Sequence, residues 1–143
     1  MKMTLARAGL AFLVAGPHWA GAALAGPSFT VDATHGGFRD YYCVTTGTIT
    51  NTGDAPLREI NGYFLMYEGG EESGRSRGTS FLALEPGARV EAGSDAPQAP
   101  CDTAESYVFV VNACMEGFNF IDRNECAAMI EPSGKVTGVI ARP

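Results

Sequence analysis

Residues 43–68, CVTTGTITNTGDAPLREINGYFLMYE, followed at 81–87 by FLALEPG, decide the fold. They read as strand, turn, strand, acidic loop, strand, turn. Tyr41–Asn51 is rich in β-branched and aromatic residues, which suit a pleated, half-buried surface. The two-residue strand period puts Cys43, Thr45, Gly47 and Ile49 on one face. Ile49 marks that face as inward, and Val44, Thr46, Thr48 and Thr50 then form a solvated outer face. Asn51-Thr-Gly-Asp54, closed by Pro56, is a turn. In Leu57–Glu68, Ile60, Gly62, Phe64 and Met66 share one face and Tyr63, Leu65 and Tyr67 the other. That pattern predicts a central, well-covered strand. Residues 68–74, EGGEESG, have the composition of a solvated hairpin tip. Thr79–Leu84 resumes the strand pattern, and Glu85-Pro86-Gly87 is a turn.

Outside this stretch, Ser28–Ala33 alternates as a short edge strand that Gly36-Gly37 breaks. Ala88–Ala92 is a short strand, and residues 93–104 are loop by composition. Ser106–Cys114, with five consecutive apolar residues, is the strongest strand. Lys135–Ala141 closes the domain. Between these last two, Asp122 followed by Glu125 resembles a capping box. It starts a two-turn helix over residues 123–130, stopped by Pro132. The expectation is an all-β sandwich with a short helical insertion before the last strand.

The chain has 143 residues, the length of one domain. Residues 1–25 read as a secretory signal. Lys2 and Arg7 form the positive start, Leu10–Ala15 the apolar core, and Ala23-Leu24-Ala25 the cleavage site before Gly26. An uncleaved anchor is the alternative, though Gly, Pro and His interrupt the apolar stretch. The domain then spans residues 26–143, with no membrane span after cleavage. All 16 acidic residues but only 8 of the 10 basic ones follow residue 26, leaving a net charge of −8. Such a surface repels phosphate backbones, which disfavours nucleic acid as a partner. Four cysteines in a small exported chain imply two disulfides and a periplasmic or secreted location.

The run 47–87 resembles the FxLYD domain family. Phe64-Leu65-Met66-Tyr67-Glu68 stands in place of the naming motif, with Met for Leu and Glu for Asp. Residues 47–53, GTITNTG, look like the family's Gly-x-Val-x-Asn strand and turn, and residues 84–87, LEPG, like its Leu-x-Pro-Gly turn. The FxLYD-like core covers residues 43–92. The resemblance implies an immunoglobulin-like, antiparallel sandwich on an exported bacterial or archaeal protein, with no enzymatic activity to carry over. The cysteines and residues 115–134 lie outside the family's pattern.

Four cysteines allow three pairings. If the sandwich holds, strand 41–51 and strand 106–114 run in the same direction on opposing sheets. Cys43 starts one and Cys114 ends the other. About seven residues at roughly 3.3 Å each then separate their levels, beyond disulfide reach. The expected pairs are Cys43–Cys101 and Cys114–Cys126.

Catalytic signals are absent. His35 is the one histidine after the signal, and it reads as a surface loop residue. No CxxC or CxxH pair offers zinc spacing. The acidic tip lacks the alternating oxygen ligands of a calcium loop. No cofactor, metal or catalytic residue is expected. The strongest candidate for recognition is Met115, Phe118, Phe120 and Ile121, four large apolar residues at one end of the sandwich. They form an exposed contact surface or fold back to cap the core, and the cap is the expectation. The sequence thus predicts a non-enzymatic exported module that binds a protein or cell-surface partner, or sits in an extracytoplasmic assembly. The alternative is a secreted enzyme inhibitor that presents a disulfide-constrained loop.

Overall fold

The computed structural model describes residues 26–39, 42–96 and 101–143. The expected signal segment lies outside them. The strands are β1 (Phe29–Arg39), β2 (Tyr42–Asn51), β3 (Leu57–Glu68), β4 (Glu71–Arg75), β5 (Thr79–Leu84) and β6 (Arg89–Ala96). They continue as β7 (Ser106–Glu116), β8 (Asn119–Ile121), β9 (Ile130–Pro132) and β10 (Val136–Ala141), with helix α1 (Arg123–Ala128) between β8 and β9. One sheet has the order β6-β2-β1-β9. The other has the order β10-β7-β3-β4, with β5 also beside β3 and β8 also beside β7. The fold is an all-β sandwich with a short helix before the closing strands.

The sheets are mixed, which corrects the antiparallel expectation. β9 pairs with β1 in parallel, and β10 pairs with β7 in parallel. The cause is the segment after β7. Parallel neighbours need a crossover rather than a tight hairpin, and β8, α1 and β9 form that crossover. Residues 115–134, the least β-like stretch by composition, therefore contribute to both sheets. α1 stops at Ala128, not at residue 130, because Ile130 joins β9 beside Phe29.

Other expectations also change. β1 runs through Gly36-Gly37 to Arg39, with a register shift between His35 and Phe38 that absorbs the glycines as a bulge. It lies between β2 and β9, so it is not an edge. The outer face of β2 is not simply solvated: Val44 and Thr48 are buried, since β1 and β6 flank the strand. Only Gly69-Gly70, at φ 59° and 82°, make the acidic turn, and Glu71 already begins β4. Two consecutive positive φ values are the signature of a two-residue hairpin whose twist matches its strands. β6 likewise extends past residue 92 to Ala96.

The inward faces follow the two-residue period. Phe29, Val31, Ile49, Ile60, Phe64, Met66, Phe81, Tyr107, Phe109 and Val111 are buried in one cluster. The aromatic rings interlock: Phe64 lies 5.0 Å from Phe109, and Phe81 lies 6.0 Å from it, edge-on. Gly47 is fixed by this packing, because a Cβ there would stand 2.6 Å from the Phe64 ring. Hydrogen bonds close both flanks of the sandwich. Arg77 N–H donates to the Asp95 carbonyl (2.7 Å) on one flank. On the other, Ser133 N–H donates to the Val31 carbonyl (2.9 Å), and Lys135 N–H to Asp32 Oδ1 (3.1 Å).

Candidate interaction surface

β7 and β8 pair as Cys114 with Ile121, Met115 with Phe120 and Glu116 with Asn119. That register leaves Gly117 and Phe118 as a two-residue turn, and Gly117 takes φ 58°. Gly in the first turn position is a common solution for such hairpins. Phe118 therefore stands at the tip and is 86% exposed, while Phe120 on β8 is 74% exposed. The two rings do not cap the core, which corrects that expectation. Ile121 is the residue that packs against the core, and Met115 is half-buried on the outer face. The reason is parity: Ile121 pairs with buried Cys114, so its neighbour Phe120 must point outward.

Two devices brace this hairpin. The Cys114–Cys126 disulfide joins the end of β7 to α1 with both residues fully buried and a Cα separation of 6.3 Å. Asp122 caps α1 by accepting from Asn124 N–H (2.9 Å) and Glu125 N–H (3.1 Å). Arg58 of β3 supports the tip. Its guanidinium donates to the Gly117 carbonyl (3.3 Å) and lies 4.7 Å from the centre of the Phe118 ring.

Beside the hairpin lies a cleft of about 760 Å3, lined by residues that include Leu57, Arg58, Glu59, Leu82, Ala83 and Gly117. Matched irregularities in two strands create it. In β3, Arg58 and Glu59 both lie between the buried Leu57 and Ile60. In β5, Leu82 and Ala83 are both exposed between the buried Phe81 and Leu84. Strict alternation would bury one of each pair. Ala83, at φ 54°, is the one described non-glycine residue in the left-handed region. It lets Leu82 lie 56% exposed at an edge. Leu82 pairs with Glu59, which pairs with Met115, which pairs with Phe120, so one row across the sheet links the cleft to the hairpin. The Glu59 carboxylate is oriented by Ser80 Oγ–H (2.6 Å), and Ser80 accepts from Asn61 Nδ2 (2.8 Å).

Sequence reasoning missed Leu82 and Arg58. The available signal for Leu82 was its position in FLAL, where four consecutive apolar residues cannot all face one side of a strand. Arg58 carried no signal, because its contact with Gly117 spans 59 residues.

His35 lies on β1 rather than in a loop, with its ring 5.6 Å from Phe38 and Nδ1 accepting from Gly37 N–H (3.4 Å). Among the described residues, no group of three or more His, Cys, Asp or Glu side chains stands close enough to hold a metal ion. Cys43 is disulfide-bonded. The side chain of Cys101, its expected partner, lies outside the described residues. The buried Cys114–Cys126 bridge fits an oxidising, non-cytoplasmic setting. No helix among the described residues is long and apolar enough to cross a membrane. No family model matches the chain, and no curated protein or solved structure matches it either.

Proposed function

We propose that this chain is a non-enzymatic, exported interaction module, periplasmic or secreted, that contacts a protein or cell-surface partner through the β7–β8 end. One observation carries the reading. Phe118 and Phe120 are held out in solvent by a hairpin that a buried disulfide and Arg58 brace from opposite sides. Exposing two aromatic rings on a rigid support is unfavourable in a free protein, and rigid aromatic anchors dominate binding energy where they are covered. An FxLYD-like ancestry fits the same picture. Asn51 of the GTITN segment bonds the LEPG turn directly, so two of the family-like motifs form one structural unit.

A second reading, an enzyme inhibitor, rests on the same hairpin. A tip residue as exposed as Phe118 on a cross-linked turn is pre-organised for insertion into a cleft, which lowers the ordering cost on binding.

The test is site-specific photo-cross-linking in the producing cells, with the probe at position 118 and, as a control, at Thr137 on β10. The reading expects a discrete adduct from position 118 that disappears when Phe120→Ser is added. Absence of an adduct, or identical adducts from both positions, would contradict it. An adduct with a hydrolase whose activity the purified protein blocks would select the inhibitor reading.

A further inference from the structure

The cleft beside the hairpin has a chemistry of its own. Its floor is apolar, with Pro56, Leu57 and Leu82, and three carboxylates rim it: Glu59, Glu85 and Glu116. Arg58 is the cation lining it, and that guanidinium is already engaged by the Gly117 carbonyl and the Phe118 ring. Among the described residues, the ion pairs are Arg75–Glu72 and Arg89–Glu91, so none of the three rim carboxylates is neutralised within the chain. A volume of about 760 Å3 accommodates one large side chain with its flanking backbone. Ala83 holds a left-handed φ of 54° beside the cleft, so that Phe81 and Leu84 both enter the core while Leu82 between them stays exposed to line the cleft.

Building on the reading of this end as a contact surface, we propose that the cleft receives an extended segment of a partner protein in which a large apolar side chain lies between Lys or Arg residues. The apolar side chain packs on Leu82 and Pro56, and its flanking cations meet Glu59, Glu85 and Glu116. Phe118 and Phe120 cover the segment's neighbouring surface. The acidic rim repels a segment flanked by Asp or Glu, which gives selectivity by charge as well as by fit.

The test uses the intact oxidised chain and three fluorescent peptides read by anisotropy. The first carries Gly-Lys-Arg-Phe-Lys-Arg-Gly, the second replaces its cations with Glu, and the third replaces Phe with Ser. The proposal expects the first to bind, with affinity falling as salt rises. The other two should bind at least about tenfold more weakly. In the protein, the triple change Glu59→Gln, Glu85→Gln, Glu116→Gln should weaken the first peptide roughly tenfold. A control triple at exposed acids elsewhere, Glu71→Gln, Glu125→Gln, Glu131→Gln, should leave it unchanged. Equal binding of the three peptides by the unaltered protein, or equal effects of the two triples, would overturn the proposal. The peptide comparison needs no variant, so a folding defect cannot mask the answer. A Phe118-dependent cross-link that survives such a failure would leave the contact-surface reading intact and remove only the chemistry assigned to the segment.

Discussion

Asn51 is the side chain on which the lower turns converge. It is fully buried, and its Nδ2 donates to the carbonyls of Leu84 (2.8 Å) and Ala55 (2.9 Å), while its Oδ1 accepts from Gly53 N–H (3.0 Å). An amide is the one side-chain type that donates twice and accepts at this size. Asn51→Ala should lower the unfolding free energy by about 3 kcal/mol, since it leaves buried backbone groups unpaired, and denaturant titration would show the shift. Tyr107 makes the opposite case. Its ring is buried in the core, but its hydroxyl has no hydrogen-bond partner among the described residues. Tyr107→Phe should therefore be neutral or stabilising by up to about 1 kcal/mol. Burial also raises the Tyr107 pKa above its ordinary value of 10.0. The unfolded chain loses this proton first, so the stability it contributes is full below pH 10 and falls as pH climbs through the folded-state pKa. Alkaline unfolding curves should show that decline in the wild type and less of it in Tyr107→Phe. Ala83→Gly relieves the left-handed strain and should leave stability unchanged or slightly higher, while Ala83→Val should destabilise by about 1–2 kcal/mol.

At the scale of elements, the crossover from β7 to β10 holds the β7–β8 end in place. The Cys114–Cys126 bridge closes a 12-residue separation, which corresponds to about 3 kcal/mol in the chain-entropy description. Cys114→Ala with Cys126→Ala should lower stability by about that amount, and hydrogen exchange should rise first in β8 and α1. Gly69→Ala with Gly70→Ala should cost about 1 kcal/mol per site, because both glycines hold positive φ. This element scale also shows what the sequence made legible. The bounds of β3 and β5, and the face of β3 that carries Ile60, Gly62, Phe64 and Met66, were readable, because alternation and turn residues are local signals. The Cys114–Cys126 pair was readable because Cys43 and Cys114 sit at opposite ends of their strands, which leaves Cys126 for Cys114. β9 was not: Ile130-Glu131-Pro132 carries no strand pattern and becomes a strand only because Phe29 and Val31 offer an edge 101 positions away. β4 was hidden by composition, since EESGR pairs with β3 through its backbone and needs no apolar residues at an outer edge. At the candidate site, Phe118 and Phe120 were legible as apolar, but their exposure depended on the Cys114–Ile121 register, which one sequence does not reveal.

For the whole molecule, the two sheets pack into a sandwich whose flanks are closed by hydrogen bonds and whose one end carries an exposed aromatic hairpin beside an acidic-rimmed cleft. The central claim is that this end is covered when the protein works. Hydroxyl-radical footprinting with mass-spectrometric readout tests that claim most directly, applied to the purified protein and to the protein within its producing cells. The account predicts strong labelling of Phe118, Phe120 and Leu82 in the purified state and clear protection of all three in cells, with exposed Ile140 on β10 labelled equally in both. Equal labelling of the three residues in the two settings, or their protection in the purified protein, would contradict it.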